Sequence, residues 1–229
     1  MNELLRFSAA RLACLIRERK VSAAEVMEAH IAHIAEVNGE INAVVELLAE
    51  SARAQARLAD DAVTRGGELG PFHGVPFSVK DSLEVARTRC TAGTVGRRTA
   101  PLSTEDAAVV ARLRRAGAIP IAKTNLPDLL FAFESDNLLF GATRNPYDLT
   151  RTSGGSSGGE AALIAAGGSP MGLGSDAAGS VRVPAAFCGI AGIKPTSGRV
   201  PRSGHIPAAG GWIEALWQTG PMARHVEDL

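Results

Sequence analysis

The chain has 229 residues, with 24 basic side chains balanced by 24 acidic ones and 45% hydrophobic residues. That composition excludes a disordered or membrane-spanning chain, and a formal charge of zero provides no basic footprint for a nucleic-acid partner. Three cysteines, Cys14, Cys90 and Cys188, form no C-x-x-C pair and are odd in number, which excludes a disulfide framework and a thiolate zinc site. They read as reduced thiols of a cytoplasmic protein. Arg6, Arg11 and Arg17 break every apolar run near the start, so neither a signal-peptide core nor a membrane span is expected there.

From the N-terminus, Ser8 can cap a first helix, and Ser22 with Glu25 makes a capping box ahead of apolar Val26, Ala29, Ile31 and Ile34. A third helical pattern runs from about 46 to 65. Residues 1–66 are therefore expected to be a helical segment, and 67–229 one continuous core. Within that core, Gly74-Val-Pro-Phe-Ser-Val79 and Ala118-Ile-Pro-Ile-Ala122 predict strands that alternate with a helical stretch over 104–116, the pattern of an α/β sheet. A band dense in glycine and serine follows, interrupted by helix-prone Glu160-Ala-Ala-Leu-Ile-Ala-Ala166, and a second helix-prone stretch covers 181–187. His225-Val-Glu-Asp-Leu229 looks like the opening turn of a further helix.

Thr152-Ser-Gly-Gly-Ser-Ser-Gly-Gly159 has the composition of a flexible linker, yet it leads straight into an apolar helix. A second glycine loop, Gly172-Leu-Gly-Ser-Asp-Ala-Ala-Gly-Ser180, follows that helix. Two such loops can gather backbone amides around an anionic centre, because glycine permits close approach and unusual dihedrals. Gly154-Gly-Ser-Ser-Gly158 satisfies the G-x-S-x-G pattern but lacks the preceding strand of a nucleophile elbow. The stretch Gly172 to Ala177 matches a loose dinucleotide fingerprint, but no acidic residue follows between Asp176 and Glu214. A phosphate loop of the Walker type is absent.

Taken together, Gly154-Gly-Ser-Ser-Gly-Gly159, Gly174-Ser-Asp-Ala-Ala-Gly-Ser-Val-Arg-Val-Pro184 and Phe187-Cys-Gly-Ile-Ala-Gly-Ile-Lys-Pro-Thr196 resemble the amidase signature family of Ser-Ser-Lys hydrolases. Gly74-Val-Pro-Phe-Ser-Val-Lys-Asp81 resembles its lysine segment. Thr124-Asn-Leu-Pro127, Phe140-Gly-Ala-Thr-Arg-Asn-Pro146 and Gly159-Glu-Ala-Ala-Leu163 are similar to the fatty acid amide hydrolase branch. The resemblance runs from about residue 8 to the C-terminus and looks like the family's N-terminal half. It implies an α/β fold, a mixed sheet flanked by helices with an N-terminal helical segment, and an incomplete family domain.

On that resemblance Ser180 is the nucleophile, Ser156 the bridging serine with a cis peptide, and Lys80 the base. The amides of Ala177, Ala178, Gly179 and Ser180 form the oxyanion hole, and Leu130 and Phe131 align with an acyl-channel wall, though core packing is an equal alternative for that pair. Ala178 departs from the family, standing where glycine is more usual. A serine hydroxyl needs a neighbouring base, and lysine serves only when neutral, its pKa brought from about 10.4 to roughly 7 or 8 by desolvation. The apolar run before Lys80 supports burial, and Asp81 opposes the shift if it points the same way. Asp176 and Arg182 flank the loop and are expected to pair across it, the alternative being that each is solvated.

Other residues suggest other chemistry. His30 and His33 share a spacing that could bind metal, but without an H-E-x-x-H pattern they read as solvated helix residues. His73 and His205 could complete a histidine triad that the family resemblance does not need, and replacing either is expected to leave activity nearly intact. Trp212 and Trp217 are placed near the site mouth or in the core. No metal or cofactor is implied. The leading expectation is hydrolysis of a small-molecule amide to an acid and ammonia or an amine. Alternatives are the amidase subunit of a tRNA-dependent amidotransferase, although Gly210 to Pro221 does not resemble the Ser-Leu-Asp-Gln segment expected there, and a truncated, non-catalytic binding domain. Expected partners are the substrate and either a second copy, as a homo-oligomer, or a missing C-terminal half.

Overall fold

A computed structural model describes residues 2–208 and 210–229, apart from the side chain of Trp212. The expectation for Trp212 thus lies outside the described residues. Helix α1 (Ala9–Arg17) starts where Ser8 Oγ accepts the Arg11 amide at 3.1 Å. Helix α2 (Ala23–Ile41) starts at the capping box, with Ser22 Oγ accepting from the Glu25 amide at 3.0 Å and the Glu25 carboxylate accepting the Ser22 amide at 2.8 Å.

The third helical pattern splits. Its first residues are a strand, β1 (Val44–Leu47), and helix α3 occupies Ala49–Arg65. Asn38 causes the break: its Oδ1 takes the amides of Ala43 at 2.9 Å and Val44 at 2.7 Å, which turns the chain out of α2 at left-handed Asn42. The segment 1–66 therefore contributes a strand as well as helices.

Strand β2 (Pro76–Lys80), helix α4 (Ala108–Arg115) and strand β3 (Ile119–Thr124) follow. Helix α4 begins later than its sequence pattern because the Ala107 amide donates to Glu84 O at 2.7 Å and the Ala108 amide to Ser203 O at 3.0 Å. Short strands β4 (Arg144–Asn145) and β5 (Asp148–Thr152) form an antiparallel pair ahead of the Gly-Ser tract. Next come α5 (Gly158–Ala165), β6 (Met171–Asp176), α6 (Arg182–Phe187), β7 (Ala191–Gly192) and β8 (Gln218–Ala223).

The expectation of a glycine loop from Gly172 needs correcting, since its first half is the buried strand β6. Glycine is needed there because α5 lies directly on the strand. A Cβ on Gly172 would fall on the Glu160 carboxylate of α5. The main sheet runs β1-β3-β2-β6-β8-β7; β3, β2 and β6 are mutually parallel and the other neighbours antiparallel. One buried apolar cluster spans from Ala9 to Ala223. At the C-terminus, a single 3-10 turn brings the Asp228 carboxylate onto the start of α1, where it accepts the Ala9 and Ala10 amides at 2.8 and 2.9 Å.

The histidines of α2 also depart from expectation. His30 is buried, its Nδ1 3.2 Å from Gly168 O, and burial brings its imidazole down to about 4 against the Gly168 and Gly167 carbonyls. His33 bonds Ala166 O at 2.8 Å. Both face the connection after α5 rather than solvent, because α2 packs against that helix.

Candidate active site

The parallel strands β2 and β6 lie side by side, so Lys80 at the end of one and Asp176 at the end of the other share the carboxyl edge of the sheet. Side chains alternate along a strand. Ser78 and Lys80 thus face α5, and Asp81 turns to the opposite face, where it forms a buried ion pair with Lys123 and accepts from the Thr91 amide at 3.1 Å. Asp81 is therefore partnered away from Lys80.

The Lys80 side chain is fully buried. Its Nζ has Ser156 Oγ at 2.7 Å, Ser157 Oγ at 2.9 Å, Ser175 Oγ at 3.2 Å and Ser175 O at 3.5 Å. Burial holds Lys80 well below the usual lysine range, against the opposing pull of the Asp176 and Glu160 carboxylates. Glu160, on α5, is itself buried. Desolvation pushes it up to about 7, although it accepts hydrogen bonds from Ser78 and Thr124 and faces Lys80. No full ionic partner reaches the amine among the described residues, so the neutral form is favoured.

Ser156 follows a cis peptide bond from Gly155. Ser157, next to it, donates its amide to Ser180 O at 3.1 Å, which docks the Gly-Ser tract against the loop after β6. That loop is organised by Asp176, whose carboxylate accepts the amides of Gly179, Val181 and Arg182 at 2.7, 3.1 and 3.3 Å and pairs with the Arg182 guanidinium at 2.9 Å. Burial alone would raise Asp176, but the guanidinium and these amides hold it low. The expected Asp176–Arg182 pair is present.

The amides of Ala177, Ala178 and Ser180 donate no hydrogen bond among the described residues. Ala178 instead of glycine leaves its amide free. Gly179 differs from expectation, because its amide is already held by Asp176 Oδ1. The anion-binding potential of this loop therefore rests on three amides rather than four.

Ser156, Ser180, Ala177 and Ala178 line one cavity of about 220 Å³. Leu129, Leu130, Phe131 and Phe133 form an apolar wall of that cavity, joined by Ile213 and Trp217. Leu130 and Phe131 thus border the cavity, and Phe131 is 82% exposed rather than part of the core. The two key hydroxyls meet in this space without a hydrogen bond between them.

His73 lies outside the site, its Nε2 3.0 Å from Ala59 O. His205 makes no hydrogen bond to Ser180, yet it is close to the lysine: Nε2 is 2.9 Å from Ser175 Oγ and 3.1 Å from Ser82 Oγ. Sequence reasoning passed over Ser157, Ser175, Glu160 and this role of His205. The first three sit inside the family-like motifs, where alternation along β6 and the turn of α5 could have flagged them. His205 lies 123 residues from Ser82, a separation with no local signal.

The amidase family profile matches residues 25–229, and the chain belongs to that family. It is 43% identical to fatty-acid amide hydrolase 2 of Homo sapiens, over 99% of this chain and 44% of that protein. It is 42% identical to a glutamyl-tRNA(Gln) amidotransferase subunit of Carboxydothermus hydrogenoformans, over 99% of this chain and 46% of the other. Among solved structures, a fatty acid amide hydrolase superposes with a TM-score of 0.94 at 32% identity, covering 99% of this chain and 40% of its own. The chain thus spans about half the length of the relatives it matches. No helix among the described residues is long and apolar enough to cross a membrane.

Proposed function

We propose that this chain carries the catalytic centre of an amide hydrolase working through an acyl-enzyme on Ser180. The observation that carries the reading is Lys80, fully buried and 2.7 Å from Ser156 Oγ, which lines the same cavity as Ser180 and the free amides of Ala177, Ala178 and Ser180. Neutral Lys80 takes the Ser156 proton as Ser156 takes that of Ser180, and Ser180 Oγ adds to the amide carbonyl carbon. The three amides receive the carbonyl oxygen as it becomes an oxyanion. Collapse breaks the C–N bond, and the proton returns through Ser156 to the departing nitrogen. Water then adds to the ester along the same relay, releasing the acid and restoring Ser180.

Substrate closure must bring Ser156 and Ser180 into hydrogen-bond contact, a tightening common between free enzymes and their complexes. The apolar wall of Leu130, Phe131 and Phe133 favours an acyl group with hydrophobic character. Labelling with a fluorophosphonate followed by peptide mapping tests the scheme. An adduct on Ser180 is expected; an adduct on Ser156 or Ser157 overturns the assignment, and no adduct at all favours a non-catalytic binding domain. A second reading, the ammonia-releasing component of a tRNA-dependent amidotransferase, is supported by the similarity to the Carboxydothermus protein. Co-purification of partner subunits, with glutamine hydrolysis stimulated by them, would decide for it.

A further inference from the structure

A neutral lysine amine has two hydrogens and one lone pair, and the relay needs that lone pair directed at the Ser156 hydroxyl. The other oxygens around Nζ must then accept from Lys80 and not donate to it, so their own protons need acceptors elsewhere. Ser157 has one, since its Oγ lies 3.3 Å from Ser175 O and can donate there while accepting from Lys80. For the Ser175 hydroxyl, the acceptors in reach are Lys80 Nζ at 3.2 Å and His205 Nε2 at 2.9 Å.

The far side of the imidazole decides between them. His205 Nδ1 is 3.1 Å from Pro207 O, and a carbonyl only accepts, so Nδ1 carries the proton and Nε2 presents a bare lone pair. The Ser82 hydroxyl, 3.1 Å away, is a second donor to that lone pair, and the shorter 2.9 Å contact gives it to Ser175. Several contacts fix the ring in this pose. His205 bridges to Leu83, the next amide, Ile206, donates to Ser82 O at 2.7 Å, and Trp217 meets the ring edge-on at 5.0 Å between centroids.

We propose that His205 is a positioning residue: by accepting the Ser175 proton it stops Ser175 from donating to Lys80, and so reserves the lysine lone pair for Ser156. The role rests on the proposed Lys80 relay, and it replaces the expectation that His205 is dispensable. Burial brings His205 down to about 4 despite the Pro207 carbonyl, with smaller contributions from Lys80 when it is protonated and from Arg202. The ring therefore stays an acceptor across the neutral range.

Two measurements test this on the full chain. Long-range proton–nitrogen spectra of 15N-histidine protein should give His205 as the neutral Nδ1–H tautomer from pH 5 to 9. Fluorophosphonate labelling of Ser180 should slow roughly 10- to 100-fold in His205→Ala and recover in His205→Gln, which keeps an acceptor. In a Ser175→Ala background, where no competing donor remains, His205→Ala should have little further effect. An Nε2–H tautomer, unchanged labelling of His205→Ala, or equal losses in both backgrounds would overturn the role while leaving the Ser180 reading intact. An unlabelled parent chain would overturn that reading, and this role with it.

Discussion

At the scale of single residues, the site holds two ionisable groups at close range whose neutral forms are favoured by burial. In the proposed relay Lys80 acts unprotonated, so labelling of Ser180 should fall as pH drops through its lowered pKa, on a limb well below the ordinary lysine range. Lys80→Met keeps the apolar stem without the base and should reduce the labelling rate by roughly 10²- to 10⁴-fold, with the pH limb abolished. Glu160 gives an effect on stability. Its folded pKa is raised to about 7, so the folded state holds a proton that the unfolded state has released. Stability is full below the unfolded value and is lost as pH rises through 7, by up to ~3 kcal/mol. Urea melts of Glu160→Gln should lack that decline. A parallel pH dependence in parent and variant would refute the assignment.

At the scale of elements, the fold is set by local caps and by long-range ties that replace them. Helix α1 has both, Ser8 from within and Asp228 from the far end of the chain. A carboxylate at a helix N-terminus satisfies amides that have no partner in the helix and interacts favourably with its dipole. Asp228→Ala should therefore cost about 1–2 kcal/mol, read as a lower urea midpoint at unchanged slope. If that tie contributes nothing, the midpoint will not move.

At the scale of the whole molecule, the apolar wall of the cavity is open. Phe131 is 82% and Phe133 53% exposed, and both line the cavity. Exposed aromatic groups beside an apolar pocket tend to seek a cover. The relatives it matches are about twice as long, so additional chain or a second copy could supply it. The chain alone should self-associate in sedimentation or light scattering, and Phe131→Ser with Phe133→Ser should weaken that association. A monomer at high concentration would mean that the wall needs no cover.

Short-range patterns reach only part of this molecule. Ser8, Ser22 and Glu25 announce their caps, the apolar runs announce β2 and β3, and the glycine-serine motifs with Lys80 name the family, because each depends on neighbours a few residues away. Where strand or helix competes with a distant partner, the local pattern misleads: Asn38 turned residues near 46 into β1, and α5 pressed on Gly172 turned an apparent loop into β6. The neutral Lys80 of the proposed relay depends on burial beneath α5 and on Asp81 turning to Lys123, and the proposed direction of its lone pair on His205 arriving from far along the chain. The loss of the Gly179 amide to Asp176 likewise appears only once the loop closes. Residue types and spacing determined which groups are candidates for the chemistry; tertiary packing decided which of them are desolvated and which amides stay free, because desolvation and donor–acceptor balance belong to the folded surroundings.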